Sequence, residues 1–208
     1  MSQAAYPTVA QVDAFLASQG FTTATPGTSY HLADAIARWE SLTGYKPFLG
    51  DTSSASWYFD SPGSFMLDLK GGFWAVTSVA VGINYSDDTG TALVLNQDYE
   101  LLPLNAANEG RGWDQIRLLH SIPVGTRAIK IVGKRGYAEE IPDDAFNAIL
   151  MGAASSTLLE AMQGSAPMSE IDQGPVRYRF DNEAGRSKYD RWKGEFNKVA
   201  ARYRRIGI

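Results

Sequence analysis

The residue types that most often carry chemistry are scarce in this chain, which has two histidines, His31 and His120, and no cysteine among 208 residues. Without sulfur there is no disulfide framework, no thiolate zinc or iron-sulfur site and no Cys nucleophile. A Ser-His mechanism would need His31, near a helix start, or His120, beside Ser121, together with an orienting acid brought in by the fold. Gly110-Arg111-Gly112 begins like a dinucleotide fingerprint, but Gln115 occupies the third glycine position and the segment reads as strand. Phosphate-loop, HExxH and GxSxG patterns are all missing. Glu139, Glu140, Asp143 and Asp144 form the densest acid cluster. Such a cluster can hold a divalent cation, yet acids at the start of an apolar helix complement its positive end and need no metal. Catalytic signals are therefore weak: no catalytic residue, metal or cofactor is assigned, and a hydrolase using His120 or the acidic cluster is the least favoured reading.

Charge is more informative. The net −4 divides into +6 for residues 186–208 and −10 for residues 1–185. The basic end combines cations with apolar and aromatic residues: Trp192, Phe196, Val199, Arg202, Tyr203, Arg204, Arg205, Ile206 and Ile208. Its arginines could complement their own helix terminus, contact phosphates or dock on an acidic protein surface. Tyr and Arg together are enriched at interface hot spots, which favours protein docking. There is no apolar run of membrane-spanning length and no basic-then-apolar leader, so a soluble chain without an export signal or membrane partner is expected.

The elements that must position these residues follow from periodicity. Thr8 and Gln11 fit a capping box before a helix carrying Val9, Val12, Phe15 and Leu16. Leu32, Ile36, Trp39 and Leu42 mark a second helix ending at Gly44. From about Ser56 to Tyr137 the period becomes two, as in Leu67 and Leu69 or Val79, Val81 and Ile83. Residues 87–90 read as a hairpin tip and 123–126 as a second turn. Pro142, Asp143 and Asp144 open a helix bearing Phe146, Ile149, Leu150, Ala153, Leu158, Ala161 and Met162 and closing near Gly164. An extended arm follows. The last helix, from near Ser187, has apolar residues at 189, 192, 196, 199, 203 and 206, a narrow seam suited to packing on another helix. The expected class is α+β: N-terminal bundle helices in 1–55, an inserted antiparallel β lobe in 56–138, a bundle helix in 139–165, and an arm with a C-terminal docking helix in 166–208.

Several stretches in shared order resemble the head-tail connector adaptors (head completion proteins) of tailed bacteriophages. These are Tyr58-Phe59-Asp60-Ser61-Pro62-Gly63, Val76-Thr77-Ser78-Val79-Ala80-Val81, Asp98-Tyr99-Glu100-Leu101, Gly136-Tyr137-Ala138 with Ile141-Pro142-Asp143-Asp144, and Tyr203-Arg204-Arg205. The likeness spans nearly the whole chain; one departure is Arg135, where an aromatic precedes the Gly-Tyr pair in many relatives. The resemblance implies a non-catalytic virion protein of the phage neck, assembled in the host cytoplasm as a homododecameric ring beneath the portal. It further implies a downstream neck or tail partner, a channel that passes double-stranded DNA during genome ejection, and a C-terminal segment that docks on the portal. A different class stays open beside it: the rings of Trp57, Tyr58, Trp74, Tyr85 and Trp113 would suit a glycan- or ligand-binding β module unless they fill the core.

Overall fold

The computed structural model describes residues 2–21, 28–61, 63–84, 86, 88–164, 170–173, 176–179 and 182–204. Among these the chain is α+β, with four helices and a six-stranded antiparallel sheet. Its described residues divide into two compact units, one within 1–43 and 142–204 and the other within 44–141.

The first unit holds α1 (Val9–Ser18), α2 (Thr28–Thr43), α3 (Asp143–Gly164) and α4 (Asn182–Arg202). The capping box is present: Gln11 N–H donates to Thr8 Oγ1 at 3.3 Å, and Thr8 N–H donates to Gln11 Oε1 at 2.8 Å. Both satisfy backbone donors that a helix start otherwise leaves orphaned. Helix α3 is the centre. Its Ala145, Ala148, Ile149, Ala153, Ala154, Ser155, Thr157 and Leu158 are all buried, so it has no solvent stripe over its middle turns, and α1, α2 and α4 pack on it. Ser155 and Thr157 are tolerated there because each hydroxyl donates back to a carbonyl of its own helix, Gly152 O and Ala153 O.

Helix α2 is rotated relative to the expected stripe. Its buried face is Thr28, Leu32, Ala35, Trp39 and Thr43, whereas Leu42 is 41% exposed. Thr43 is tolerated there because its hydroxyl donates to Trp39 O at 2.9 Å. Helix α4 begins at Asn182 rather than near Ser187. The expected arm is a hairpin of β9 (Glu170–Gln173) and β10 (Val176–Arg179). Two-residue strands β1 (Ser2–Gln3) and β8 (Ile141–Pro142) complete the inventory outside the sheet.

The second unit is built on β3 (Met66–Asn84), with β2 (Ala55–Ser61), β4 (Thr89–Leu93), β5 (Tyr99–Leu102), β6 (Trp113–Leu118) and β7 (Gly125–Arg135) around it. The order is β2-β7-β3-β6-β5, with β4 also on β3. Strand β3 has 19 residues, and it serves two sheet halves because it breaks register at its middle. Met66, Leu67 and Asp68 pair with β6, Phe73 onward pairs with β7, and between them Gly71 and Gly72 have φ of +90° and +74°. Only glycine occupies that region without strain. The residues facing inward from both halves, among them Leu67, Leu69, Phe73, Val79, Ile116, Ile129 and Ile131, join one core. The expected β3–β4 hairpin is present, with Asn84 opposite Thr89. The stretch 123–126 is not a hairpin turn: β6 pairs with β3 and β5, while β7 pairs with β3 and β2. A strand as long as β3 lets sequence neighbours attach to different parts of it, a possibility that local turn chemistry cannot reveal.

Candidate docking segment

Docking by the C-terminal helix depends on which of its residues remain available, and packing within the helical unit decides that. Trp192, Phe196 and Val199 are 5%, 2% and 3% exposed. Trp192 sits against Phe15 (5.1 Å between ring centroids) and Phe21 (6.2 Å), and Phe196 lies edge-on to Trp39 at 5.6 Å. Gly152 of α3 makes room for Phe196, since a Cβ there would lie 2.5 Å from the ring. The apolar seam is therefore spent on α1, α2 and α3. These three side chains hold α4 in place and present no surface of their own.

The polar end of α4 is partly engaged as well. Tyr203 lies 5.8 Å from the Trp39 ring, and its hydroxyl donates to Asp144 Oδ1. Arg202 Nη1 is 3.7 Å from Asp144 Oδ2. Asp144 also accepts from its neighbour's backbone, Ala145 N–H, at 2.9 Å. One carboxylate thus serves the positive end of α3, where a negative charge is favourable, and also ties down Arg202 and Tyr203 at the end of α4. The Arg202 pair is half exposed, so by itself it contributes about 0.5 kcal/mol. Arg186, Arg191, Lys198 and Arg204 are exposed cations of the same segment. Lys188 is turned inward, donating to Gln19 O at 2.9 Å and lying 4.9 Å from the Phe21 ring. Arg205, Ile206 and Ile208 lie outside the described residues.

The remaining sequence candidates fall into ordinary structural settings. His31 Nε2 is 2.6 Å from Glu160 Oε2 in the helical unit, and the exposed His120 is 3.8 Å from Asp98 in the strand unit. Among the described residues no group of three or more His, Asp or Glu side chains could hold a metal ion, and no helix is long and apolar enough to cross a membrane.

The aromatic set is engaged internally. The Arg135 guanidinium lies 4.5 Å from the Trp57 ring, Arg127 lies 4.2 Å from Tyr58, and Lys134 lies 4.7 Å from Trp74. Trp74 Nε1 donates to Asp51 O, and Trp113 packs on the sheet core. Tyr85 is outside the described residues. Cations thus lie over three of the ring faces that would stack on a sugar. Tyr58 and Lys130 both donate to Asp88 at the β3–β4 turn, and these bonds lower the Asp88 pKa.

Sequence reading missed the link from Asp144 to Tyr203, which are 59 residues apart. It also missed the Tyr45–Asp114 pair in the strand unit. Asp114 is 6% exposed, and burial raises its pKa, opposed by the Tyr45 hydrogen bond and the Arg111 charge. Burial, followed by the Asp114 charge, raises that of Tyr45. A lone Asp in an alternating strand gives no sign of which face it occupies.

No family model and no curated protein matches the chain. Among solved structures it is similar to a chain described as belonging to the neck of a native GTA particle computed with C12 symmetry. That alignment covers 100% of this chain and 96% of the other, at 14% identity and a TM-score of 0.42.

Proposed function

We propose that this chain is a structural adaptor of a phage-type neck, a ring-forming protein that joins a portal to the next neck or tail component and passes double-stranded DNA without gripping it. The observation that carries the reading is the state of its basic end. Helix α4 is anchored by Trp192, Phe196 and Val199, so its cations project from a fixed support rather than from a loose tail. Arg186, Arg191, Lys198 and Arg204 are exposed there, while the first 185 residues carry −10. Such a division suits docking on an acidic protein surface and disfavours holding a duplex along the body. The ordered motifs shared with head-tail adaptors support the same reading.

Docking is then assigned to Arg204 and the sequence after it, beyond the contacts of Arg202 and Tyr203 with Asp144. Truncation after Tyr203 retains Ala200, which is 1% exposed, and the Asp144 contacts, so the fold survives. The truncated chain should unfold at the same denaturant midpoint as the full chain and fail to join portal-bearing heads. Mass measurement of each form, alone and mixed with portal, reads the result. A truncated chain that still joins heads refutes docking by this segment.

A further inference from the structure

Three connections of the strand unit, β2–β3, β4–β5 and β6–β7, come together at one rim of the sheet. The pairings put them there, since Ser61 at the end of β2 lies opposite Gly125, Met66 at the start of β3 opposite Arg117, and Tyr99 at the start of β5 opposite Leu118. Contacts between the connections join them. Leu118 N–H donates to Phe65 O at 2.7 Å and Leu119 N–H to Asp98 O at 2.8 Å, while a Cβ on Gly63 would lie 2.6 Å from Val124 Cγ2. Five large apolar residues on this rim are exposed: Phe65, Val94, Leu95, Leu119 and Val124, from 37% at Leu119 to 78% at Val124. Turn geometry asks for Gly, Asn, Ser or Pro and gives no reason for apolar side chains in water. A single exposed Leu is ordinary, but a cluster of this size marks an interaction surface.

Charge narrows what the surface can meet. Residues 61–66, 93–97 and 118–126 contain no Asp, Glu, Lys or Arg, although 20% of the chain is charged. The neighbouring Asp98 is turned to its own loop, accepting from Val94 N–H at 2.8 Å. A rim that docked on a lipid surface would carry cations at its edge to meet the headgroups, and these stretches supply none. An acidic or basic protein surface is disfavoured too, because its charges would lose water without gaining partners. A neighbouring copy in a ring fits no better. Cyclic contacts join two different surfaces, so a second apolar cluster would be needed elsewhere on the chain. The other exposed large apolar residues among those described, Val9, Tyr30, Leu42 and Leu104, stand apart on α1, at opposite ends of α2 and on the β5–β6 connection.

We propose that this rim is the surface on which the next neck or tail component sits, and that the component meets it with an apolar surface free of unpaired charge. The proposal rests on the adaptor reading and deepens it by giving the second partner a site and a chemistry. The two docking regions then select by opposite means. Arg204 and the exposed cations of α4 favour an acidic surface, and the charge-free rim rejects one, so each partner is disfavoured at the other's site.

The test places carboxylates on the rim with Phe65→Asp and Val124→Asp together. Both side chains are exposed, so the urea midpoint should stay at the wild-type value, and Val124→Asp alone carries the test if the pair does not fold. Leu104→Asp, at an exposed site away from the rim, is the control, and Phe65→Leu with Val124→Ile keeps the rim apolar. Portal-bearing heads are loaded with each chain and their adaptor content is measured by mass spectrometry. Isolated tails of the same particle are then added, and tailed heads are counted by electron microscopy. The carboxylate variant should load like wild type and acquire about tenfold fewer tails, a modest loss for burying unpaired charges. The control and the apolar variant should match wild type. Wild-type tail counts on carboxylate-variant heads overturn the proposal, and so does an equal loss with Leu104→Asp. A folded carboxylate variant that fails to load overturns it as well, since the rim would then meet the portal or another copy. Failure of the wild-type chain to load is a different result, which overturns the adaptor reading and this proposal with it.

Discussion

At the scale of single residues, the buried polar group with a predictable pH signature is Asp114. Its carboxyl has an ordinary value of 3.8, and burial holds the folded value above that. A group bound more tightly to its proton in the folded state adds stability that is full below the unfolded value and is lost as pH rises through the folded one. The wild-type denaturation midpoint should therefore fall, relative to that of Asp114→Asn, as pH rises from below 3.8 toward neutral. Asn keeps an acceptor for the Tyr45 hydroxyl and removes the titration, so the difference between the two chains isolates this group from other carboxylates. Parallel pH profiles would show that Asp114 is not desolvated. Gly152 sets two effects of comparable size against each other. Ala is the better helix former by about 1 kcal/mol, but a Cβ 2.5 Å from the Phe196 ring overpacks the core, which costs about 1–3 kcal/mol. Phe196 is itself 2% exposed and held against Trp39, so it has little room to retreat. Gly152→Ala should be net destabilising by about 1 kcal/mol in urea titration, and a stabilised variant would show that the ring yields.

At the scale of elements, helix α4 is core on one side and cationic on the other, and substitution separates the two roles. Trp192→Ala or Phe196→Ala removes a buried ring from contact with α1 or α2 and should cost about 3–5 kcal/mol. Lys198→Ala, on the exposed side, should change stability by less than about 0.5 kcal/mol. Equal, small losses at all three positions would mean that α4 is held by something other than its seam. The same helix shows what the sequence could disclose. The 192–196–199 spacing was legible as a packing seam because helical period is a local property. The capping box at Thr8 and the end of α3 at Gly164 were legible for the same reason. The face of α2 was not: Leu42 is exposed and Thr43 buried because Trp39 turns toward Phe196, a contact between residues far apart in sequence. In the strand unit, alternation disclosed β3 and β7 but not their partners, since β3 changes neighbour at Gly71-Gly72. Of the nine docking candidates, Trp192, Phe196 and Val199 are buried in the helical unit, while Arg202 and Arg204 are exposed. Arg135, which stands where an aromatic is expected, joins β7 to β2 and β3 by stacking on Trp57 and donating to Lys70 O.

At the scale of the whole molecule, the chain leaves the helical unit at 43/44 and re-enters it at 141/142, so the strand unit is a continuous insertion while the helical unit is assembled from two distant stretches. The consequences for folding are unequal. Residues 44–141 carry their own core, with Leu69, Phe73, Val79, Ile116, Ile129 and Ile131 each fully buried within it, and every strand of the six-stranded sheet lies inside that range. Their sequence needs nothing from the helices to satisfy the sheet ladders. Among the described residues the N-terminal stretch 1–43 holds the two-residue β1 and the helices α1 and α2, and these helices pack on α3 and α4 from the far end of the chain. Cut off from those helices, it would expose Val12, Leu16, Leu32 and Trp39 to water. A polypeptide of residues 44–141 should therefore unfold cooperatively, with Trp57, Trp74 and Trp113 reporting a native-like fluorescence transition, whereas residues 1–43 alone should show little helix by circular dichroism. Cooperative unfolding of the excised strand unit would establish it as a self-sufficient insert. A fragment lacking any transition would mean that its core depends on the helical unit, and that the division at 43/44 and 141/142 is one of contact density and not of stability.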